Sequence, residues 1–117
     1  MGNFEDLLAW QKARQTQKQL FTTFYHTNQN WFKDQIFKAM LSVSNNIAEG
    51  FERKSLKEFL RFLNYSKASC GEVRSMLYTA EDMGFCDTET ADFLRIQTIE
   101  ISKIIQGLIN YQKSKIT

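Results

Sequence analysis

Apolar residues recur along this chain in steps of three and four over four stretches, the period at which a helix buries one face. The first stretch predicts a helix from Phe4 or Glu5 to Tyr25, capped by Asn3 with Asp6 three residues on, and an inward stripe of Leu7, Trp10, Arg14, Gln17, Phe21 and Phe24. Two of these positions are polar. Either Arg14 and Gln17 hydrogen-bond inside the bundle, or their stems pack while their heads reach water; for Arg14 the cost of burying an unpaired charge favours the second. After a polar connection from His26 to Asn30, a second helix runs from about Trp31 to Glu49 with Phe32, Ile36, Ala39, Met40, Val43 and Ile47 on one face. A further stripe, Phe37, Leu41, Ser44 and Ala48, lies about 100° away on the helical wheel. This helix is therefore either wedged centrally or covered on a second side by another subunit.

The third helix, about Ser55 to Met83, spans roughly 43 Å at 1.5 Å per residue. Phe59, Leu63, Ser66, Cys70, Val73, Leu77 and Ala80 form its seam without a miss, widened by Phe62, Met76 and Met83. On the far side Asn64, Ala68, Gly71 and Ser75 keep the same rhythm with small residues, which let another backbone come close. Gly84 ends this helix, and Asp87 caps the fourth, with Glu89 and Asp92 favouring its first turn. Its stripe is Leu94, Gln97, Ile101, Ile104, Leu108 and Tyr111, flanked by Ile105, while Ile96 and Ile99 point away. Four amphipathic helices with short connections predict an all-α, antiparallel up-down-up-down four-helix bundle. Self-association is expected through the faces left without a partner, carrying Phe37, Leu41, Ala68, Gly71, Ser75, Ile96 and Ile99.

The hinge of the pattern is 44–63, SNNIAEGFERKSLKEFLRFL. Here Gly50 is expected to stop the second helix in a left-handed conformation, and Ser55 to restart the chain through a capping box with Glu58. A loop from Phe51 to Lys54 lies between them, and Arg53, Lys54, Lys57 and Arg61 make this the densest basic cluster in the chain. Asn46 and Glu49 are expected to tie the helix end to a neighbouring loop.

The run Asn46-Ile47-Ala48-Glu49-Gly50-Phe51, then Arg53-Lys54-Ser55 and Lys57-Glu58-Phe59, resembles the signature of four-helix-bundle proteins encoded in bacterial 23S rRNA intervening sequences. Phe4, Asp6-Leu7 and Trp10-Gln11-Lys12-Ala13 resemble that family's opening, Gln35-Ile36 through Ser42-Val43 its second helix, and Ile101 to Leu108 its last. The chain departs where an arginine pair and a proline are expected in the second helix, having Phe37-Lys38 and Ser44, and where Gly-Ser is usual in the third, having Ala68-Ser69. The resemblance implies a homo-pentamer of bundles around a central axis. It also implies a connection with nucleic acid, since a similar accessory protein of diversity-generating retroelements binds nucleic acid and a reverse transcriptase.

Composition adds bounds. A length of 117 residues, 43% hydrophobic and 24% charged, fits one domain over residues 1–117 with one modest core, and the absence of proline permits long helices. No apolar run approaches the roughly 20 residues of a membrane span, and the opening Met1-Gly2-Asn3-Phe4-Glu5-Asp6 has no signal-peptide pattern, so a cytoplasmic protein is expected. Cys70 and Cys86 are too widely spaced for a metal or redox motif, and His26 has no companion ligand; Cys70 reads as a buried small hydrophobe, and no cofactor or metal is expected. Asn45, Asn46 and Glu49 have no base or nucleophile beside them, there is no phosphate-binding glycine loop, and an enzyme is not expected.

The net charge of +2 is far from that of a dedicated nucleic-acid binder, but its distribution is uneven. Residues 53–74 hold six Lys/Arg (Arg53, Lys54, Lys57, Arg61, Lys67, Arg74) against two Glu, whereas 81–100 hold one Arg against six acids. Two functions follow. One is a non-catalytic oligomer that binds RNA or DNA through backbone charge at Arg53, Lys54, Lys57, Arg61 and Lys67. The other is a protein–protein scaffold in which the bands of opposite sign set partner and register.

Overall fold

The first predicted helix is broken near its start. The computed structural model, which describes residues 2–116, has a 3-10 turn at Phe4–Asp6 and then α1 at Leu8–Phe24, with Leu7 between them in an extended conformation. Asp6 caps that turn, its carboxylate accepting the Asn3 N–H at 3.3 Å. The break drops Leu7 into the core and seats Phe4 edge-on against Trp10, ring centroids 5.2 Å apart. Helices α2 (Asn30–Glu52), α3 (Leu56–Asp82) and α4 (Thr88–Ser114) follow, and no strand is found among the described residues. Met1 and Thr117, which complete the expected single domain, lie outside the described residues.

Sequence neighbours pack side by side, α4 closes back on α1, and between the diagonal pairs no Cα atoms come within 8 Å among the described residues. Contacts run in opposite senses along each pair: Phe24 meets Phe32 and Phe21 meets Phe37 between α1 and α2, while Gln35 reaches Glu72 and Ser42 reaches Ser69 between α2 and α3. The result is an all-α antiparallel four-helix bundle, 48 Å along its long axis and about 20 Å across.

The main stripe expected for α2 and the seam of α3 are buried to the last member, whereas in the further α2 stripe Ser44 is buried, Phe37 and Ala48 half-buried and Leu41 exposed. Of the residues expected to widen the α3 seam, Phe62 is buried, Met76 half-buried, and Met83, just past the helix end, exposed. In α1 and α4 the buried face is turned by about one residue. Helix α1 buries Ala9, Ala13, Thr16, Leu20 and Phe24, and α4 buries Thr98, Ile105, Ile109 and Gln112 with Leu94 and Ile101. In α1 small residues, Ala9 and Ala13, take two of the buried positions, and the bulkier Trp10 and Phe21 are half-buried at the edges. In α4 the apolar arc is wider than one stripe; Ile105 and Ile109 take its centre, Ile104 and Leu108 its flanks, and Tyr111 stays exposed. The two polar members of the α1 stripe part company. Arg14 is exposed, its guanidinium 5.6 Å from the Trp10 ring centroid, while Gln17 accepts a hydrogen bond from the Ser44 hydroxyl at 3.0 Å.

Gly50 is not a helix stop. It lies inside α2, is buried, and its carbonyl accepts the Arg53 N–H at 3.2 Å. A Cβ placed there would stand 2.6 Å from the Cβ of Phe62 and 3.2 Å from a ring carbon of Phe59, so the glycine is required by the close approach of α3. The loop shrinks to Arg53–Ser55, leaving Phe51 and Glu52 helical. The glycine that does adopt a positive φ is Gly84 (φ 75°), and Phe85 N–H closes that turn on the Ala80 carbonyl at 2.8 Å. Asp87 caps α4 as expected, accepting the Thr90 N–H at 2.8 Å. At the start of α3 the Ser55 hydroxyl accepts the Glu58 N–H at 3.2 Å, but the Glu58 carboxylate turns to Arg61 at 2.8 Å instead of back to the cap.

Cys70 is buried in the α3 seam, and burial pushes its thiol up to about 12, with Arg74 pulling weakly the other way. Cys86 is half-buried after Gly84, its pKa raised by burial first and by Asp87 next. A thiol-reactive reagent at mildly alkaline pH should therefore label Cys86 first and Cys70 only as the bundle unfolds, followed by mass spectrometry across a urea series. Native labelling of Cys70 at the rate of a free thiol would contradict its burial. Among the described residues no three His, Cys, Asp or Glu side chains gather as a metal site, and no helix is long and apolar enough to cross a membrane.

Candidate nucleic-acid interface

The α2–α3 corner is built on the contact that excludes a side chain from Gly50. Because α3 lies against that bare backbone, Phe59 and Phe62 pack over the end of α2, and Phe51 meets Phe59 edge-on at 5.9 Å. Deeper along the same pair, small polar residues replace bulk: the Ser66 hydroxyl donates to the Val43 carbonyl at 2.6 Å, and the Ser42 and Ser69 hydroxyls lie 2.9 Å apart. Asn46 belongs to this seam. Its amide donates to the Ser42 carbonyl at 2.7 Å and to the Ser42 hydroxyl at 2.8 Å, so it braces its own helix rather than a loop. Glu49 does bind the connection, its carboxylate 2.9 Å from the Arg53 guanidinium.

The basic residues divide into two kinds. Arg53 and Arg61 are held: Arg53 pairs with Glu49 and, at 4.0 Å, with Glu58, while Arg61 pairs with Glu58 at 2.8 Å. Both guanidiniums lie against the Phe62 ring, at 4.8 Å and 5.5 Å from its centroid, and Arg61 also lies 5.8 Å from that of Tyr65. Lys54 and Lys57 are exposed and make no ion pair among the described residues. Lys67 is turned away, half-buried, with its ammonium 2.5 Å from the Gln106 side-chain oxygen on α4. The corner thus presents two free lysines beside two arginines fixed on an aromatic base.

The expected contact residues are spread around the bundle. Phe37 is half-buried beneath Phe21 at 4.4 Å, so it has a partner in its own chain. Leu41 is 38% exposed on α2; Ile96 and Ile99 are 56% and 38% exposed on α4, with exposed Phe93 on the same helix. On α3, Ala68 and Ser75 are exposed and Gly71 is half-exposed, and a Cβ added to Gly71 would meet nothing within 4 Å.

One buried charge has no counterpart in the sequence reading. Arg95 on α4 is 7% exposed, pairs with Glu81 of α3 at 2.9 Å and with Asp92, and has its guanidinium carbon 4.2 Å from the Tyr78 ring centroid. Burial pulls its pKa down, but the hydrogen bonds to Asp92 and Glu81 more than offset this, leaving it above the ordinary arginine value. The Asp92 partner, three residues back on the same helix, is visible as a spacing; Glu81 is not, because it arrives across the Gly84 turn.

A search of curated proteins finds no match. The family model described as 23S rRNA-intervening sequence protein matches residues 5–107, which takes in α1, α2, α3, the whole α2–α3 corner and α4 as far as Gly107, and the chain belongs to that family.

Proposed function

We propose that this chain is a non-catalytic, self-associating bundle that binds RNA or other nucleic acid by its phosphate backbone at the α2–α3 corner. The observation that carries this reading is the pair of exposed, unpaired lysines, Lys54 and Lys57, next to arginines held on Phe62. Membership of a family described by its 23S rRNA intervening sequences supports it. Flexible ammonium groups at a surface recognise phosphate charge without reading base sequence. The local surplus is small, because Glu49 and Glu58 already engage the arginines, so useful affinity needs several subunits acting together.

Binding of RNA and DNA duplexes should fall steeply with salt. Lys54→Ala or Lys57→Ala should each flatten the slope of log affinity against log salt by roughly 0.9 on duplex targets, similarly across sequences. Arg53→Ala and Arg61→Ala should do less, since each arginine must first give up its glutamate. Absence of salt-sensitive retention even at low ionic strength overturns the reading. The exposed Leu41, Ile96 and Ile99 favour a second one, a protein–protein scaffold in which these faces join copies or hold a partner and the corner is merely solvated. In that case the lysine variants would leave nucleic-acid retention at background.

A further inference from the structure

Beyond the charges, the corner carries an aromatic side chain whose exposure the fold does not explain. Tyr65 follows Lys57 and Arg61 at four-residue steps, so the three share one face of α3, each about 6 Å further along the axis. Its ring stands edge-on to Phe62 at 5.5 Å, with the Arg61 guanidinium carbon over it 5.8 Å from the centroid, yet it remains 47% exposed. Its hydroxyl makes no hydrogen bond among the described residues. The ring's contacts with Phe62 and Arg61 leave about half of it open, and nothing among the described residues uses its hydroxyl. A half-open ring beside fixed guanidinium planes and free ammonium groups matches what an unpaired base requires: a flat apolar platform with cations for the adjoining phosphates.

We infer that Tyr65 is a base-stacking platform, and that the preferred ligand of this corner is single-stranded nucleic acid rather than duplex. The inference rests on the phosphate-binding reading above and adds a ligand form to it. Bases inside a duplex are already stacked on one another and offer the ring no free face; an unpaired strand offers every base. The weak local charge points the same way. With Glu49, Glu52 and Glu58 beside Arg53, Lys54, Lys57 and Arg61, phosphate attraction alone is modest, and stacking contributes a short-range attraction that salt does not screen.

Fluorescence anisotropy with a short unstructured RNA oligonucleotide, free and annealed to its complement, tests this on the full chain and on Tyr65→Leu, Tyr65→Trp and Lys57→Ala, with helicity checked by circular dichroism. Tyr65→Leu should lose roughly five- to hundredfold in single-strand affinity, leave duplex affinity and the salt slope unchanged, and be rescued by Tyr65→Trp. Equal losses on both forms, or no loss on either, would overturn the platform. If Lys57→Ala weakens binding while Tyr65→Leu does not, the phosphate reading stands and the platform falls; if the unaltered protein binds neither form, both fall.

Discussion

Gly50→Ala should destabilise the bundle by about 2 kcal/mol, whereas Gly71→Ala in the next helix should stabilise it by up to about 1 kcal/mol. Both glycines are helical, and alanine favours a helix interior by about 1 kcal/mol at either position. At Gly50 that gain is outweighed. The new methyl would lie 2.6 Å from the Cβ of Phe62, and since both atoms are fixed directly to backbone, neither can rotate aside. Separating α2 from α3 would loosen Phe59, Phe62 and the Ser66–Val43 hydrogen bond together, a strain of about 3 kcal/mol at the upper end of overpacking costs. At Gly71 the methyl meets no neighbour in the chain. Urea denaturation with a common m-value separates the two substitutions; a stabilising Gly50→Ala would mean that the α2–α3 approach is looser than described. Gly71→Ala also probes assembly. If copies meet backbone to backbone on this face, as Ala68, Gly71 and Ser75 lead one to expect, a bulkier Gly71→Leu should reduce the mass seen by light scattering while helicity is retained.

This contrast marks what the chain discloses as a sequence and what it does not. A glycine that closes a helix and a glycine that admits a neighbouring helix look alike from one side: each follows a periodic run and precedes a phenylalanine. The distinguishing signal was downstream, because Phe51 continues the four-residue step of Val43 and Ile47 through Gly50, whereas the step fails after Gly84. Face assignments behaved the same way. Where large residues recur at one phase, as in α2 and α3, the pattern names the core directly; in α1 the buried line includes alanines and a threonine, and in α4 isoleucines occupy more arc than one neighbour can cover.

The candidate interface was readable in composition but not in strength. Arg53 with Glu49 and Arg61 with Glu58 stand at four- and three-residue spacings, so both pairings follow from helix geometry once Glu49 and Arg53 are known to flank the same helix end. Taking them as engaged lowers the free positive charge of the corner to Lys54 and Lys57, and Lys67 leaves it altogether for Gln106 on α4. Tyr65 carries no signal in a census of charges; it becomes conspicuous only when the structure shows a ring beside the arginine pair that is left half open.

The same correction applies at the opposite end of the helix pair, where six acids between residues 81 and 100 read as a negative band. Two of them, Glu81 and Asp92, surround the buried Arg95, so the band is weaker than its sequence count and part of it is structural. Glu81→Gln should cost about 2–3 kcal/mol, because it leaves a buried guanidinium with one carboxylate, and that one exposed. Asp92→Asn should cost under about 1 kcal/mol, as its side chain is 59% exposed and screened by water. Arg95→Met should cost less than Glu81→Gln: methionine fills much of the same channel beside Tyr78 without a charge to desolvate, and Glu81, 27% exposed, can turn to water. Thermal and urea unfolding of the three variants check that order. Equal losses from Glu81→Gln and Asp92→Asn would mean that the guanidinium is solvated in solution.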